Sequence, residues 1–277
     1  MSTPPHDRLD RWYDALIQRH AGDLTFRELR RGLQALSTVY VERRESLTRG
    51  AALDGAGKRA AFATFYAPLH YAVTRHVVQA LGAASPPPSR IYDLGCGTGA
   101  AGAAWAIESG NRPPLTGFDL NPWAIEETRW TWNHFGLDGS VHRRRLEQLR
   151  PPARNAAVLV AFTVNELRAD SRDGLLEQLI AVACGGGRAL VVEPIARRAV
   201  RWWDEWAAHF REAGGRVDLW RFAAQLPDGW RQLDRAAGLD HRELTARSLY
   251  LAPKCQERGH RGLDLRKGSY IGARRAR

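Results

Sequence analysis

The segment RIYDLGCGTGAAG, from Arg90 to Gly102, constrains this chain more than any other. Its pattern predicts a short apolar strand with an acid near its end, then a glycine turn, then a helix of small residues. Glycine has no Cβ, so such a turn bends sharply and lets the backbone approach a ligand closely. The following helix directs its first amide groups and the positive end of its dipole towards the turn. We therefore expect a strand, turn and helix that together bind a ligand.

The alternation of apolar and amphipathic segments predicts the fold class. Strands are predicted at 90–94, 115–119, 140–144, 156–161 and 188–193, helices at 100–109, 122–135, 171–183 and 197–213, and further strands near 216–221 and 243–251. Such alternation is typical of an α/β fold with a Rossmann-like, doubly wound and mostly parallel sheet.

An N-terminal helical extension is expected before this sheet. Helical periodicity predicts two helices within 7–48, the second with a capping box of Thr25 and Glu28. A third helix is predicted over 58–81, kinked or restarted by Pro68. The predicted organisation is a helical region (1–81), a linker of composition GAASPPPS (82–89), a ligand-binding α/β domain (90–253) and a basic tail (254–277).

Two acids near the turn indicate which ligand it holds. Asp119 ends the apolar run LTGFDL, 20 residues after Gly99, a spacing at which an acid reaches ribose hydroxyls. Asp93 lies just before the glycines, where its charge would repel a pyrophosphate. It suits a ligand with ammonium and sulfonium charges and no phosphate. The alternatives are a turn that binds NAD and a turn without a ligand.

The pattern D-L-G-C-G-T-G resembles the first motif of class I S-adenosylmethionine-dependent methyltransferases. The resemblance implies S-adenosylmethionine as cofactor, with the environment of Asp93 serving its methionine end and Asp119 binding its ribose. Many such enzymes bind the adenine through an acid after the third strand. Here the backbone of Leu146, or Glu147, would take that role. The predicted cofactor-binding residues are Asp93, Gly95, Cys96, Gly97, Gly99, Asp119, Leu120, Leu146 and Phe162.

The end of the fourth strand, in AVLVAFTVNEL, is the predicted place of catalysis. Strand ends of a doubly wound sheet open into the ligand crevice, so we expect Phe162, Thr163, Asn165 and Glu166 to line it. Asn165 and Glu166 are the candidate catalytic residues, because direct methyl transfer needs an aligned acceptor and a proton acceptor. The alternative is that Glu166 only caps or solvates the next helix.

Charge and composition bear on partners and location. The formal net charge is +11, and the tail 254–277 carries eight Lys and Arg against Glu257 and Asp264, a net of +6. Such a tail either contacts polyphosphate through counterion release or only keeps the chain in solution. The three cysteines are scattered, so neither a zinc site nor a disulfide framework is predicted, and a reducing cytoplasm is expected. No apolar run reaches the roughly 20 residues of a membrane span.

Four further segments carry a second resemblance: ELRRGLQALSTVYVE, FATFYAPLHYAVTRHVV, FDLNPWAIEETRWTW and VAFTVNEL. Together, over roughly residues 25–195, they resemble the methyltransferase-like family associated with the small subunit of the mitochondrial ribosome, and its bacterial relatives. The resemblance implies a class I fold, S-adenosylmethionine binding and association with small-subunit rRNA. Members with a downstream cysteine cluster are suspected of carrying a metal. This chain lacks that cluster, so no metal is carried over.

The sequence therefore predicts a cytoplasmic S-adenosylmethionine-dependent methyltransferase that acts on, or associates with, small-subunit rRNA. Tyr66 and His70 are expected to help close its pocket, unless they only pack in a helix. One alternative is a ribosome-assembly factor that binds RNA without catalysis. Another is a small-molecule methyltransferase whose N-terminal helices form a lid. No membrane partner is expected.

Overall fold

The computed structural model describes residues 5–42, 53, 55–146, 155–195, 201–239 and 241–253. The strands are β1 (Ile91–Leu94), β2 (Leu115–Asp119), β3 (Gly139–Arg143), β4 (Ala157–Ala161), β5 (Arg188–Glu193), β6 (Arg216–Phe222) and β7 (Leu244–Leu251). The helices are α1 (Pro5–Ala21), α2 (Phe26–Glu42), α3 (Ala56–Ala61), α4 (Ala67–Leu81), α5 (Ala100–Glu108), α6 (Pro122–His134), α7 (Ala169–Cys184), α8 (Arg201–Glu212) and α9 (Asp228–Ala236).

The sheet order confirms the predicted fold class. Within the described residues seven strands form one sheet in the order β3-β2-β1-β4-β5-β7-β6. The first five strands in chain order pair in parallel, whereas β7 is antiparallel to both β5 and β6. Two apolar clusters cover the sheet, one shared with the N-terminal helices, α5 and α6, the other with α7 and α8. The carboxyl ends of β1, β2 and β4 therefore meet at one edge of the sheet.

The N-terminal helices form largely as predicted, with one irregular stretch. The capping box at α2 is confirmed, since Thr25 N donates to Glu28 Oε2 at 2.8 Å and Glu28 N donates to Thr25 Oγ1 at 3.3 Å. The third predicted helix is divided into α3, a π-helical turn (Phe62–Tyr66) and α4. The irregularity thus precedes Pro68, which lies in the first turn of α4.

Helix α9 is not among the helices that the sequence pattern predicts. It packs on the π-helical turn, with the rings of Trp230 and Phe65 stacked at 4.6 Å. The Trp230 indole also donates a 2.8 Å hydrogen bond to the Phe65 carbonyl. Trp230 and Leu233, three residues apart and both buried, were the available signal for this helix.

A buried ionic cluster joins α1 to α6. Glu127, almost fully buried, accepts hydrogen bonds from Arg19 Nε at 3.1 Å and Nη2 at 2.9 Å, and lies 2.8 Å from His20 Nε2. The Arg19 guanidinium also lies 5.1 Å from the centre of the Trp130 ring. Burial opposes ionisation of Glu127, but the hydrogen bonds from His20 and Arg19 outweigh it and lower the pKa of this carboxyl.

Several predicted features lie outside the described residues. These are the basic tail, the adenine-binding alternative Glu147, and the ends of two predicted helices, at 43–48 and 197–200. In the part of the chain that is described, no helix has both the length and the apolar character needed to cross a bilayer.

Candidate functional site

A cavity of about 550 Å³ opens at the edge of the sheet where β1, β2 and β4 end. This is where a doubly wound sheet places its ligand crevice, and the volume is typical of a cofactor site. The wall includes the glycine turn, the ends of β2, β3 and β4, and residues of the N-terminal helices. The predicted cofactor-binding residues that line it are Asp93, Gly95, Cys96, Gly97, Asp119, Leu120, Leu146 and Phe162.

The three glycines of the turn have different surroundings. A Cβ on Gly95 (φ +73°) would lie 2.5 Å from Thr163 Oγ1, whereas the Cβ position of Gly97 (φ +56°) is open. Gly99, predicted to bind the cofactor, is not among the lining residues. Its Cβ position lies 2.7 Å from Trp132 Nε1, and its carbonyl accepts a 2.9 Å hydrogen bond from that indole. Gly99 therefore allows α6 to pack on the turn, while Gly97 exposes backbone to the cavity.

Asp93 lies beneath the turn and is buried. Its Oδ2 accepts a 3.1 Å hydrogen bond from the Gly102 amide at the start of α5. Burial, together with the nearby charge of Asp119, raises the pKa of Asp93 to about 7 despite that bond. A cation bound nearby would favour the ionised form of this buried carboxyl, so the site suits a cationic ligand.

Asp119 joins the turn to the loop after β2. Its Oδ2 accepts a 3.0 Å hydrogen bond from Gly97 N, and its Oδ1 accepts a 2.9 Å bond from Asn121 N. Each carboxylate oxygen keeps a further lone pair for a ligand in the cavity. Burial raises the pKa of the Cys96 thiol well above the ordinary value, and the nearby charges of Asp93 and Asp119 raise it further. The thiol is therefore protonated near neutral pH and does not act as a nucleophile.

An uncharged aromatic pair forms another part of the wall. The rings of His70 and Phe162 stack with centroids 3.8 Å apart and planes 7° apart. Phe162 has φ +56°, a backbone conformation that residues other than glycine rarely adopt. Burial lowers the pKa of His70 to about 3, so its ring is neutral at physiological pH. Tyr66, also expected to close the pocket, is not among the lining residues and packs edge-on against Phe65.

The two candidate catalytic residues are separated by the fold. Glu166 lines the cavity, but Asn165, which we expected beside it, does not. The Asn165 amide donates to Glu193 Oε2 and accepts a 3.2 Å hydrogen bond from Trp202 Nε1. Both polar atoms of Asn165 thus have partners outside the cavity, which leaves Glu166 as the predicted proton acceptor that the structure places in the cavity.

Glu193, the last residue of β5, was not singled out from the sequence. It is fully buried and accepts a 2.8 Å hydrogen bond from Val164 N. Burial raises its pKa to about 7. It lies in register with Arg247 of β7, whose guanidinium is 4.0 Å from the centre of the Trp203 ring. An acid at the end of the apolar run RALVVE was the signal that could have indicated it.

Comparison with known proteins identifies the kind of site. A family model described as the methyltransferase domain matches residues 66–264, which include all seven described strands. The chain belongs to this methyltransferase domain family. With the glycine turn and the acids at the ends of β1 and β2, membership makes it an S-adenosylmethionine-dependent methyltransferase. No curated protein matches the chain significantly.

Solved structures of methyltransferases are similar to this one in fold. A TehB-like S-adenosylmethionine-dependent methyltransferase from Corynebacterium glutamicum is 17% identical, covering 64% of this chain and 85% of its own, with a TM-score of 0.41. One from Geobacter sulfurreducens, in complex with S-adenosylhomocysteine, is 16% identical, covering 65% and 91%, with a TM-score of 0.44. One from Thiobacillus denitrificans, in the same kind of complex, is 17% identical, covering 63% and 90%, with a TM-score of 0.42.

The residues of the cavity fit S-adenosylmethionine. The open Cβ position of Gly97 leaves room for a ligand at the turn, and Asp93 provides negative charge for a cation. Asp119 would hold the ribose hydroxyls, and Leu120 and Leu146 would supply apolar surface for the adenine. When bound, the cofactor supplies an electrophilic methyl group.

Binding of S-adenosylmethionine to this methyltransferase is expected to weaken as the pH falls. Asp93 has a pKa of about 7 without ligand, and a cationic ligand is attracted only to its ionised form. Affinity should therefore fall up to about tenfold per pH unit below about pH 7 and level off above it. Calorimetry at several pH values, in buffers of different ionisation enthalpy, would measure the affinity and the proton release. Asp93→Asn keeps an acceptor for Gly102 N and should remove most of this pH dependence; an unchanged profile would contradict the assignment.

Proposed function

We propose that this methyltransferase acts on RNA of the small ribosomal subunit. The observation that most directly supports RNA as the substrate is a set of arginines. They line the same cavity as Glu166. Arg59 comes from the N-terminal helices, and Arg143, Arg144 and Arg145 from the end of β3, and all four line the cavity. We call these four residues the arginine rim. The small subunit is inferred from the resemblance of four segments of the chain to the family associated with the mitochondrial small subunit.

The arginine rim suits a phosphate backbone. The four side chains are exposed, and Arg143 is oriented by a 3.2 Å hydrogen bond from its Nε to the Leu120 carbonyl. Arg59 donates from Nε to the Leu53 carbonyl at 2.9 Å, with its guanidinium 6.0 Å from the Trp123 ring centre. Guanidinium groups recognise phosphate well, and their binding to RNA releases counterions. The arginine rim thus places positive charge beside the cavity in which the reaction would occur.

The roles of the cavity side chains follow from their chemistry. Asp93 and Asp119 are assigned to the cofactor, so Glu166 is the carboxylate left to accept a proton from the methyl acceptor. His70 is a poor base because burial lowers its pKa to about 3. With Phe162 it offers a flat, uncharged surface against which a planar acceptor would align.

A small-molecule acceptor is the second candidate, and one observation favours it. Phe62 and His70, both from the N-terminal helical segment, line the cavity together with the ends of the strands. A partly covered cavity of this kind suits a small acceptor as well as a single nucleotide extruded from RNA.

Transfer of a radiolabelled methyl group tests both candidates. The full-length protein would be incubated with labelled S-adenosylmethionine and, separately, with small-subunit rRNA, assembled small subunits, large-subunit rRNA and a low-molecular-weight cell extract. We expect label in small-subunit RNA. Label only in the low-molecular-weight fraction would favour the small-molecule candidate and contradict the proposal.

A charge-matched pair of double variants tests the arginine rim. Arg144→Ala with Arg145→Ala should weaken RNA binding about tenfold at moderate salt and lower the salt slope by about 2, with cofactor affinity unchanged. Arg211→Ala with Arg235→Ala removes the same charge from exposed positions outside the cavity and should change RNA binding much less. Equal losses in both double variants would mean that RNA does not enter along the rim.

A further inference from the structure

We infer that Glu193 is a positioning residue, which holds the turn Val164–Glu166 from beneath so that Glu166 faces the methyl acceptor. The inference rests on the proposed function, because it takes Glu166 as the proton acceptor. Glu193 itself does not line the cavity. Its action on the reaction would pass entirely through the turn.

Two hydrogen bonds connect Glu193 to the turn. Glu193 Oε1 accepts from Val164 N at 2.8 Å, and Oε2 accepts from the Asn165 amide. These are the two residues directly before Glu166, so both carboxylate oxygens act on the segment that orients it. The turn also reaches the glycine loop, since Thr163 Oγ1 donates to the Gly95 carbonyl at 3.2 Å.

The surroundings of Glu193 fix its direction. The Asn165 amide is bonded on its other side to Trp202 Nε1, so it cannot rotate without losing a partner. Arg247, in register on β7, provides a favourable charge, and its guanidinium packs on the rings of Trp202 and Trp203. Two side chains of α8 and one of β7 thus keep this carboxylate below the turn.

Burial of a carboxylate is costly, which argues that Glu193 has a role beyond packing. A fully buried acid loses its hydration, and the raised pKa of Glu193 reports that loss. Replacing buried charged groups with apolar residues of similar volume often leaves the stability of a protein unchanged or raises it. What an apolar residue cannot do is accept two hydrogen bonds from a three-residue turn and so fix its orientation.

Glu193→Gln tests the inference with little change of shape. The new amide can still accept from Val164 N, but its NH2 group meets the NH2 group of Asn165, so one of the two bonds is lost. A second substitution, Asn165→Asp, restores the match, because the aspartate accepts both from the glutamine and from Trp202 Nε1. The double variant has the same net charge as the wild type.

The expected result is a loss and a recovery. Glu193→Gln should lower kcat about 10- to 100-fold while the KM for S-adenosylmethionine stays within about twofold. Hydrogen exchange of the Val164–Glu166 amides should become about tenfold faster, with exchange in β5 and β7 unchanged. The double variant should recover both kcat and exchange protection to within about threefold of wild type.

A buried acid elsewhere supplies the control. Asp234 on α9 is buried and bonded to His241 but does not line the cavity, so Asp234→Asn should leave kcat within about twofold. A wild-type kcat in Glu193→Gln, or no recovery in the double variant, would overturn the inference. If the wild type methylated no RNA, the proposed function would fail, and the exchange measurement would still decide whether Glu193 holds the turn.

Discussion

Asp119→Ala is expected to weaken binding of S-adenosylmethionine by at least about 100-fold, because an anionic acceptor of several hydrogen bonds is lost. The carboxylate bonds the amides of Gly97 and Asn121, so its removal leaves two donors without their acceptor and loosens the turn. The ribose hydroxyls would lose their partner at the same time. Calorimetry with S-adenosylmethionine and S-adenosylhomocysteine measures the effect.

Two controls separate the cofactor contact from general damage. Asp119→Asn keeps the shape and one acceptor oxygen, so we expect a smaller loss, of about tenfold. Asp138→Ala removes an exposed acid outside the cavity and should leave affinity unchanged. Asp119→Ala with an affinity within threefold of wild type would show that the ribose is not bound there.

Glu127→Ala is expected to destabilise the protein by about 2–3 kcal/mol, below the usual cost of breaking a buried ion pair because Arg19 is partly exposed. Arg19 and His20 would lose the carboxylate that joins α1 to α6. For a chain of this size the unfolding midpoint should fall by about 5–10 °C. Denaturant titration, with proteolysis of α1 as a second probe, measures the change.

The neighbouring acid provides a matched control for this prediction. Glu126 is exposed on the same turn of α6, so Glu126→Ala should change stability by less than about 0.5 kcal/mol. Since the folded pKa of Glu127 is lowered, its contribution is present above the ordinary carboxyl pKa and is lost as the pH falls through the folded value. The difference between Glu127→Ala and wild type should therefore shrink in acid. Equal stability of both variants at neutral pH would mean that α1 is held by apolar packing alone.

Local features were predicted well from the sequence. The strand Leu115–Asp119 has the predicted bounds, and the capping box of Thr25 and Glu28 forms as expected. Each depends on residues a few positions apart, whose periodicity or hydrogen bonding is visible in the chain itself. The glycine turn was predictable in the same way, because Gly95, Gly97 and Gly99 all have positive φ, a conformation that strongly favours glycine.

Other features depended on partners far along the chain. The π-helical turn at Phe62–Tyr66 is matched by Trp230, whose indole satisfies the Phe65 carbonyl from 165 residues away. Gly99 was predicted to bind the cofactor, but the indole of Trp132 occupies the space beside it. In both cases the polar or steric partner lies on an element whose position is set only when the layers pack.

The amino-acid sequence alone was enough to predict the strand–turn–helix unit, the α/β class and a cavity with acids at the ends of β1 and β2. These features follow from short-range periodicity and turn chemistry. Only the tertiary structure decided which of two adjacent side chains faces that cavity. Asn165 and Glu166 are adjacent in sequence, yet only Glu166 lines the cavity, since the buried Glu193 and Trp202 engage both polar atoms of Asn165. A buried polar group binds whatever partner the packed strands bring within reach, and that partner cannot be read from local spacing.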